Sequence, residues 1–158
     1  MNNTHSCCFT GHRDIPAKER ASIQKCLEAE IINLILQGVT DFYAGGALGF
    51  DTMAESAVLR LKRDYPQLRL CLALPYKDQP KGWNNSDIAI YNQILARADL
   101  VVYTSEAFYP GCFHKRNRYL VDHSGVCLCY LTQATGGTAY TVGYAKQHGL
   151  RIVNIAIS

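Results

Sequence analysis

Two glycine-rich segments in this chain of 158 residues have the composition of turns that bind phosphate. The first, AGGALGFD at residues 44–51, follows a β-like run and precedes a helical pattern. Its glycines, Gly45, Gly46 and Gly49, lack a Cβ, so the backbone can approach a ligand closely. The second, TGGT at residues 135–138, opens another helical pattern. Because the first N–H groups of a helix favour anions, the two segments predict a site for a nucleotide-like ligand.

Two further segments carry side chains that could bind an anion. Arg13 ends the segment Thr-Gly-His-Arg at residues 10–13, and Arg116 is followed by Asn117 in a basic run. An arginine offers a planar fork of donors to phosphate or carboxylate, and an asparagine can read the edge of a base. The alternatives are a surface turn with an incidental arginine in the first segment and a solvated helix face in the second.

The carboxylate Asp51 stands at the end of the first glycine-rich segment. It either caps the following helix or accepts a hydrogen bond from a ribose hydroxyl or a base amine. A plain strand–helix turn capped by Asp51 is the alternative to a binding site. Asp51 and Glu55 are also weak candidates for a catalytic carboxylate, since the sequence contains no convincing pair of nucleophile and base.

The composition limits the domain number and the classes of partner. Hydrophobic residues make up 48% of the chain and charged residues 18%, which is typical of a single globular domain over residues 1–158. The net charge of +3 is mild. A dedicated binder of duplex DNA would be more basic, so the charge favours a small anionic ligand.

The seven cysteines and the first residues of the chain bear on its compartment. The cysteine count is odd, the spacing is irregular, and residues 1–5 are polar, so we expect reduced thiols in the cytoplasm. No apolar run reaches the ~18 residues of a membrane-spanning helix, and no membrane association is expected. The pairs Cys112 with His114 and Cys127 with Cys129 lack partners at zinc spacing, so we predict no metal and no required cofactor.

Short β-like runs and helical patterns alternate from end to end. The strands are predicted at Ser6–Thr10, Asp41–Ala44, Arg69–Leu74, Leu100–Thr104, Val126–Thr132 and Arg151–Ile157. The helices are predicted at Ala17–Gln37, Asp51–Tyr65, Ser86–Arg97, His114–His123 and Thr138–His148. Strict alternation of apolar strands with helices predicts an α/β fold: a doubly wound, mainly parallel, Rossmann-like sheet.

The expected strand order is 3-2-1-4-5-6, which places the reversal of order between the first and fourth strands. Ligands of such sheets bind at the carboxyl ends of the strands, beside this reversal. The four motif-bearing loops, which follow the first, second, fourth and fifth strands, would then meet at one edge of the sheet.

Taken in order, the motifs resemble the SLOG superfamily of Rossmann-like domains, and within it the YpsA-type group, a domain group of unknown function. The resemblance spans nearly the whole chain. It rests on TGHR at residues 10–13, GGALGFD at residues 45–51, Ala98-Asp99, RNRYLVD at residues 116–122, and GGT followed by TVGYA within residues 136–145.

The resemblance implies a pocket for nucleotides or nucleotide-derived molecules, and links the group to bacterial stress and cell division. The superfamily also contains the phosphoribohydrolases of the "lonely guy" type, and the DNA-processing protein DprA, which binds single-stranded DNA. In ungapped alignment Gly143 stands where the phosphoribohydrolases carry their catalytic glutamate. A glycine cannot accept a proton, so the departure favours binding over catalysis.

We therefore expect a protein that binds or senses a nucleotide-derived small molecule without catalysis. A hydrolase of nucleoside monophosphates and a protein-interaction module with a vestigial pocket are the alternatives, and a homodimer is the expected assembly. The predicted ligand-binding residues lie in the four motifs: Gly11, His12, Arg13, Gly45, Gly46, Leu48, Gly49, Asp51, Arg116, Asn117, Gly136, Gly137 and Thr138.

Overall fold

Strands and helices alternate strictly along residues 3–156, the part of the chain that this computed structural model describes. The strands are β1 (Ser6–Gly11), β2 (Asp41–Ala44), β3 (Arg69–Leu74), β4 (Leu100–Tyr103), β5 (Val126–Tyr130) and β6 (Arg151–Asn154). The helices are α1 (Arg20–Leu36), α2 (Phe50–Leu61), α3 (Asn85–Arg97), α4 (Cys112–Asp122) and α5 (Gly137–Gln147). A short 3₁₀ turn, Ala17–Glu19, precedes α1. The predicted α/β fold is confirmed.

All six strands run parallel in one sheet, in the order β4-β3-β2-β1-β5-β6. Successive side chains of a strand point to opposite faces, and both faces are apolar here because helices cover both. Cys7 and Phe9 of β1 pack in the layer of α1, α2 and α3, whereas Cys8 packs in the layer of α4 and α5. The rings of Phe9 and Phe42 stack at 5.7 Å between centroids in the first layer.

The predicted strand order 3-2-1-4-5-6 is wrong, because β4 lies outside β3 and β5 takes the place beside β1. Three successive right-handed crossovers through α1, α2 and α3 on one face add each new strand in the same direction. Helix α4 lies on the opposite face, where it contacts β3 and β1 and carries the chain back to β5. The order therefore reverses between β1 and β5.

Most elements begin or end one to four residues from the predicted positions, and strand β6 ends at Asn154. Two of the differences have local reasons. Helix α2 ends at Leu61, not Tyr65. Pro66 follows shortly after, and a proline disfavours helical geometry in the residue before it, here Tyr65. Strand β5 ends at Tyr130 because the Asn154 side chain bonds both the N–H and the carbonyl of Leu131 at 3.1 Å. Ile157, the predicted end of the last strand, lies outside the described residues.

No helix within residues 3–156 is long and apolar enough to cross a membrane. All seven cysteines are free thiols, and all but Cys26 are buried.

Candidate functional site

A cavity of about 480 Å³ opens at the carboxyl ends of the strands, where the strand order reverses. Parallel sheets have their ligand sites at this position because neighbouring loops diverge there. The loops after β1, β2, β3 and β5 line the cavity together with the first turns of α4. Its lining residues are Phe9, Thr10, Gly11, His12, Arg13, Ala47, Asp51, Tyr76, Gln79, Trp83, Phe113, Arg116, Asn117, Leu120, Gln133, Thr135, Gly136, Gly137 and Thr138.

Most of the predicted site residues border this cavity: those of the first motif, Asp51, the Arg-Asn pair and the second glycine turn. The glycines of the first turn and Leu48 do not line it, and neither does Glu55. The pair Arg116 and Asn117 reaches the cavity although β4 is at the far edge of the sheet. Helix α4 crosses the sheet face and carries the pair to the reversal point.

The N–H groups of the first glycine turn are occupied by carboxylates of the helix that follows it. The Gly46 N–H donates to Glu55 Oε2 at 2.9 Å, and the Ala47 N–H donates to Asp51 Oδ2 at 3.2 Å. Asp51 lies one residue inside α2, whose N-cap is Gly49, so the carboxylate holds the turn and does not cap the helix in the usual way. The protein thus fills the anion-binding position of this turn with its own side chains.

Gly49 meets the first motif at close range. Its φ of 82° is a conformation that side-chain-bearing residues rarely adopt, and a Cβ there would lie 2.1 Å from the carbonyl oxygen of Arg13. The next residue, Phe50, donates its N–H to the carbonyl of His12 at 3.1 Å. The glycine is therefore required for the loops after β1 and β2 to dock together.

Arg116 is buried, with 6% of its surface exposed, although its side chain is a cation. Its Nη1 donates to the Gly45 carbonyl and its Nε donates to Asn117 Oδ1 at 2.8 Å. A Cβ on Gly45 would lie 2.7 Å from Nη1, so a side chain at this position would displace the guanidinium. One face of the guanidinium lies over the Phe113 ring, with Cζ 5.8 Å from its centroid.

Asp51 and Glu55 share the buried surroundings of Arg116. Burial raises the pKa of Asp51, while the Arg116 charge and hydrogen bonds from the backbone of Ala47 and Gly45 oppose this. Burial also raises the pKa of Glu55 well above its usual range, and the nearby charge of Asp51 adds to the effect. The cluster therefore holds protons more readily than exposed carboxylates do.

Replacing Glu55 by glutamine should change how stability depends on pH. Glutamine keeps an acceptor for the Gly46 N–H but removes the titrating group. Because the pKa of Glu55 is raised on folding, its contribution is full below the unfolded value of 4.5 and is lost as the pH rises through the folded pKa. We therefore expect the wild type to lose stability relative to Glu55→Gln as the pH rises, measured by denaturant unfolding from about pH 5 to about pH 9.

Exposed Glu106 provides the control for this comparison. Glu106→Gln should follow the wild-type pH profile, since that carboxyl lies in solvent. Identical pH profiles for the wild type and Glu55→Gln would contradict the assignment of Glu55 as a buried, protonatable group.

His12 bridges the two loops that flank the reversal point. The Thr132 N–H donates to His12 Nε2 at 2.9 Å, so in the neutral ring the proton sits on Nδ1. Burial lowers the pKa of His12, which is consistent with a neutral ring that accepts this bond. The ring lines the cavity and fixes the spacing of the loops after β1 and β5.

The second glycine turn leaves its N–H groups open, in contrast to the first. Gly136 is the N-cap of α5 with a φ of 103°, and no side chain of the described residues caps this helix start. Gly136 and Gly137 are exposed, and a Cβ built on either would meet nothing within 4 Å. Among the two glycine turns, this one is free to receive an anion from the cavity.

Aromatic side chains form the opposite end of the cavity. Tyr76 and Trp83, from the loop after β3, line it together with Phe113 of α4. The Tyr76 and Phe113 rings meet edge to face with centroids 6.1 Å apart. Phe108 and Tyr109 lie outside the lining and are largely exposed.

Two lining glutamines were missed by the sequence interpretation. Gln79 follows β3 and Gln133 follows β5. Neither belongs to a glycine-rich or charged motif. Their only sequence signal is a polar side chain in a loop at the carboxyl end of a predicted strand, a position shared with many surface residues.

Within residues 3–156 no group of three or more His, Cys, Asp or Glu side chains could hold a metal ion.

The parallel sheet, with helices on both faces and a cavity at the reversal of strand order, defines a Rossmann-like protein of the doubly wound class. The family model for YpsA, described as the YspA SLOG family, matches residues 8–156. The chain belongs to this family, and the resemblance to the SLOG superfamily is confirmed.

Individual relatives agree with this membership. The UPF0398 protein BH1768 of Halalkalibacterium halodurans is 31% identical over 128 residues, which are 79% of this chain and 68% of that protein. Among solved structures, DNA processing protein A of Helicobacter pylori has a TM-score of 0.68 at 17% identity; the match covers 95% of this chain and 64% of that one. DNA processing protein A of Streptococcus pneumoniae has a TM-score of 0.66 at 14% identity, covering 93% of this chain and 48% of that one.

The structural likenesses, at such low identity, establish the shared fold alone. The Helicobacter pylori protein has a mode of binding single-stranded DNA, which is a property of that protein. The predicted homodimer and cytoplasmic location stay predictions.

Proposed function

We propose that the protein binds a phosphorylated nucleoside, or a molecule derived from one, in the cavity at the strand-order reversal. The observation that carries the proposal is the pairing, in one cavity, of an open glycine turn at a helix start with the cations Arg13 and Arg116. A cavity of about 480 Å³ is within the usual range for small-molecule sites.

The phosphate belongs at the start of α5. The N–H groups of Gly137 and Thr138 lie at the positive end of that helix, and Thr138 adds a hydroxyl. Arg13 is exposed and lines the same cavity, so its guanidinium can reorient and form an ion pair with the phosphate. The first glycine turn contributes by holding Asp51 and Arg116 in place, since its own N–H groups are already bonded.

The sugar belongs in the middle of the cavity, against the loops after β1 and β2. Asp51 lines that part of the cavity. Its carboxylate accepts the Ala47 N–H and has further lone pairs, which can accept a hydrogen bond from a sugar hydroxyl.

Binding is favoured over hydrolysis because Gly143, at the phosphoribohydrolase glutamate position, lies inside α5 and does not line the cavity. A role in stress or cell-division physiology is part of this proposal through the family resemblance.

Titration calorimetry with nucleoside monophosphates and the matching nucleosides tests the proposal. We expect the monophosphates to bind and the nucleosides to bind at least about tenfold more weakly, because a charge-assisted phosphate site is worth about 1.4 kcal/mol or more. Arg13→Gln should weaken monophosphate binding by a similar factor and leave thermal stability unchanged, because Arg13 is exposed.

Arg63→Gln is the matched control, since Arg63 is also exposed but lies outside the cavity lining. It should bind like the wild type. Absence of binding across all nucleotides would refute the proposed function. Release of free base during the titrations, measured by chromatography, would show that the protein hydrolyses the nucleotide. Asp51 would then be the catalytic carboxylate to test by substitution.

A further inference from the structure

Arg116 is a buried cation that makes no ion pair with any residue in the range 3–156. The ion pairs of these residues are Arg60 with Glu28, Lys62 with Asp99, and Arg69 with Asp41. Only 6% of the Arg116 surface is exposed, and arginines are almost never buried to this extent without a paired charge. Asp51 and Glu55 lie near it, but their carboxylates accept backbone N–H groups. The guanidinium therefore has no direct counter-ion in the described part of the chain.

One nitrogen of this guanidinium opens into the cavity. Nη1 donates to the Gly45 carbonyl and Nε donates to Asn117 Oδ1, whereas Nη2 donates to no described residue. The described side-chain atoms that lack a partner and that solvent cannot reach belong to Gln79, Tyr91 and Ser105. Nη2 is not one of these atoms, so solvent reaches it, and the cavity is the space that Arg116 borders.

Asn117 presents a second open donor beside this nitrogen. An N–H group can bond the oxygen of a side-chain amide but not its nitrogen, so the bond from Arg116 Nε fixes the orientation of the Asn117 amide. Its Nδ2 donates to no described residue, and Asn117 lines the same cavity. The two open donor groups, Nη2 and Nδ2, flank a single hydrogen bond and share one positive charge. Such a donor pair suits an anion.

This donor pair lies apart from the open glycine turn at the start of α5. Arg116 bonds to Gly45, directly after β2, whereas the open turn follows β5, and β1 lies between these two strands. Two spacings between neighbouring strands amount to roughly 10 Å. A phosphate bound at the start of α5 therefore leaves the donor pair of Arg116 and Asn117 without an anion.

The electrostatics of the cavity also favour more than one negative group. Burial lowers the pKa of Arg116, which the charges of Asp51 and Glu55 oppose and the charge of Arg13 reinforces. Burial raises the pKa of both carboxyls, so they ionise less readily than exposed ones. The two cations thus repel each other across a cavity whose own acids neutralise them incompletely.

We infer that the bound nucleotide carries a second phosphate group, which pairs with Arg116 Nη2 and Asn117 Nδ2 while the first phosphate is held at the start of α5. This inference rests on the proposed nucleotide site and names the class of ligand: nucleotides with two phosphate groups. The second group is attached either to the sugar or to the first phosphate, and both arrangements share the chemistry that the donor pair recognises. The separation of roughly 10 Å favours attachment to the sugar.

Adenine nucleotides that differ only in the second phosphate test the inference. In titration calorimetry, adenosine 3′,5′-bisphosphate or ADP should bind the wild-type protein at least about tenfold more tightly than AMP. The nucleotide that shows this gain identifies the position of the second phosphate. Arg13→Gln should weaken the binding of all three nucleotides and keep the preference, because Arg13 serves the phosphate at the start of α5.

Asn117→Asp supplies the missing counter-ion from the chain itself. The new carboxylate takes the place of the amide against Arg116 Nε. Because Arg116 is desolvated with either side chain, the added attraction should raise the melting temperature by about 3 °C or more at about pH 7. The same carboxylate should reduce the preference for the second phosphate to about twofold or less, since it pairs with the cation and repels the phosphate.

Asn92→Asp is the matched control, because Asn92 is exposed on α3 and lies outside the cavity lining. It adds the same charge and should keep the wild-type preference, with a melting temperature within about 2 °C of the wild-type value.

Three outcomes would overturn the inference and leave the proposed function intact. They are equal affinity of the wild type for all three nucleotides, an unchanged preference in Asn117→Asp, and a melting temperature of Asn117→Asp that does not exceed the wild-type value. Absence of binding for every nucleotide, AMP included, would instead overturn the proposed function, and this inference with it.

Discussion

Replacing Arg116 by methionine should destabilise the protein more than any other single change in the site. Methionine fills much of the same space but cannot bond the Gly45 carbonyl, and it leaves Asp51 and Glu55 without their buried cation. Breaking a buried charge cluster in this way costs about 3–5 kcal/mol. Denaturant unfolding should show this loss, and the melting temperature should fall by about 10 °C.

The stability that Arg116→Met loses relative to the wild type should also depend on pH. Without the guanidinium the two buried carboxyls hold protons still more tightly in the folded state, so the variant loses further stability as the pH rises through their folded pKa values. The loss should therefore be larger at about pH 8 than at about pH 5. A deficit that is the same at both pH values would show that the lost packing, and not the lost charge, is responsible.

Arg118 offers a matched control on the same helix. Its Nη1 donates to the Tyr140 hydroxyl at 3.1 Å at the protein surface, away from the buried carboxyls. Arg118→Met should change stability by about 0.5 kcal/mol or less, the usual range for surface substitutions. A comparable loss in both variants would contradict the special role of the buried cation.

Gly49→Ala should be nearly as damaging, for a reason that lies in the backbone. The new Cβ would stand 2.1 Å from the Arg13 carbonyl oxygen, and the φ of 82° is unfavourable for alanine. Strain and displacement of the adjoining loop together should cost about 3 kcal/mol or more, measured by denaturant unfolding. Because the loop after β1 must move, monophosphate binding should weaken in the same variant.

Substitutions at two other glycines distinguish the cost of backbone strain from the cost of a steric clash. Gly82 has a φ of 90° but open space around it, so Gly82→Ala should lose about 1 kcal/mol from strain alone. Gly143 lies inside α5 with open space, and Gly143→Ala should gain about 0.5–1 kcal/mol as a better helix former. Equal losses in Gly49→Ala and Gly82→Ala would mean that contact with Arg13 contributes nothing.

The alternation of strands and helices could be predicted because it depends on local patterns. The apolar run from Arg69 to Leu74 predicts a buried strand, and the spacing of Ile23, Leu27 and Ile31 predicts the first helix. Both elements form where expected, since burial of these faces stabilises them in almost any α/β arrangement. The motif residues likewise fall in the loops at the carboxyl ends of strands or in the helices that follow them.

The strand order could not be predicted from these local patterns. It depends on which face of the sheet α3 covers, and that follows from packing of residues such as Tyr91 and Ile94 against partners distant in sequence. Because α3 lies in the same layer as α1 and α2, β4 continues outward. Arg116 still reaches the cavity, but it does so on a helix that crosses the sheet and not on a loop beside β1.

Residue types and their spacing were enough to predict a Rossmann-like sheet with glycine turns at its ligand-binding edge, because backbone preferences and apolar periodicity act over a few residues. They could not tell that the first turn is filled by its own helix, through Glu55 and Asp51, while the second stays open. They also gave no sign that Gln79 is buried with an unpaired side-chain oxygen. Hydrogen-bond partners and burial arise from contacts between distant segments, so these properties of the site emerge when the chain is folded.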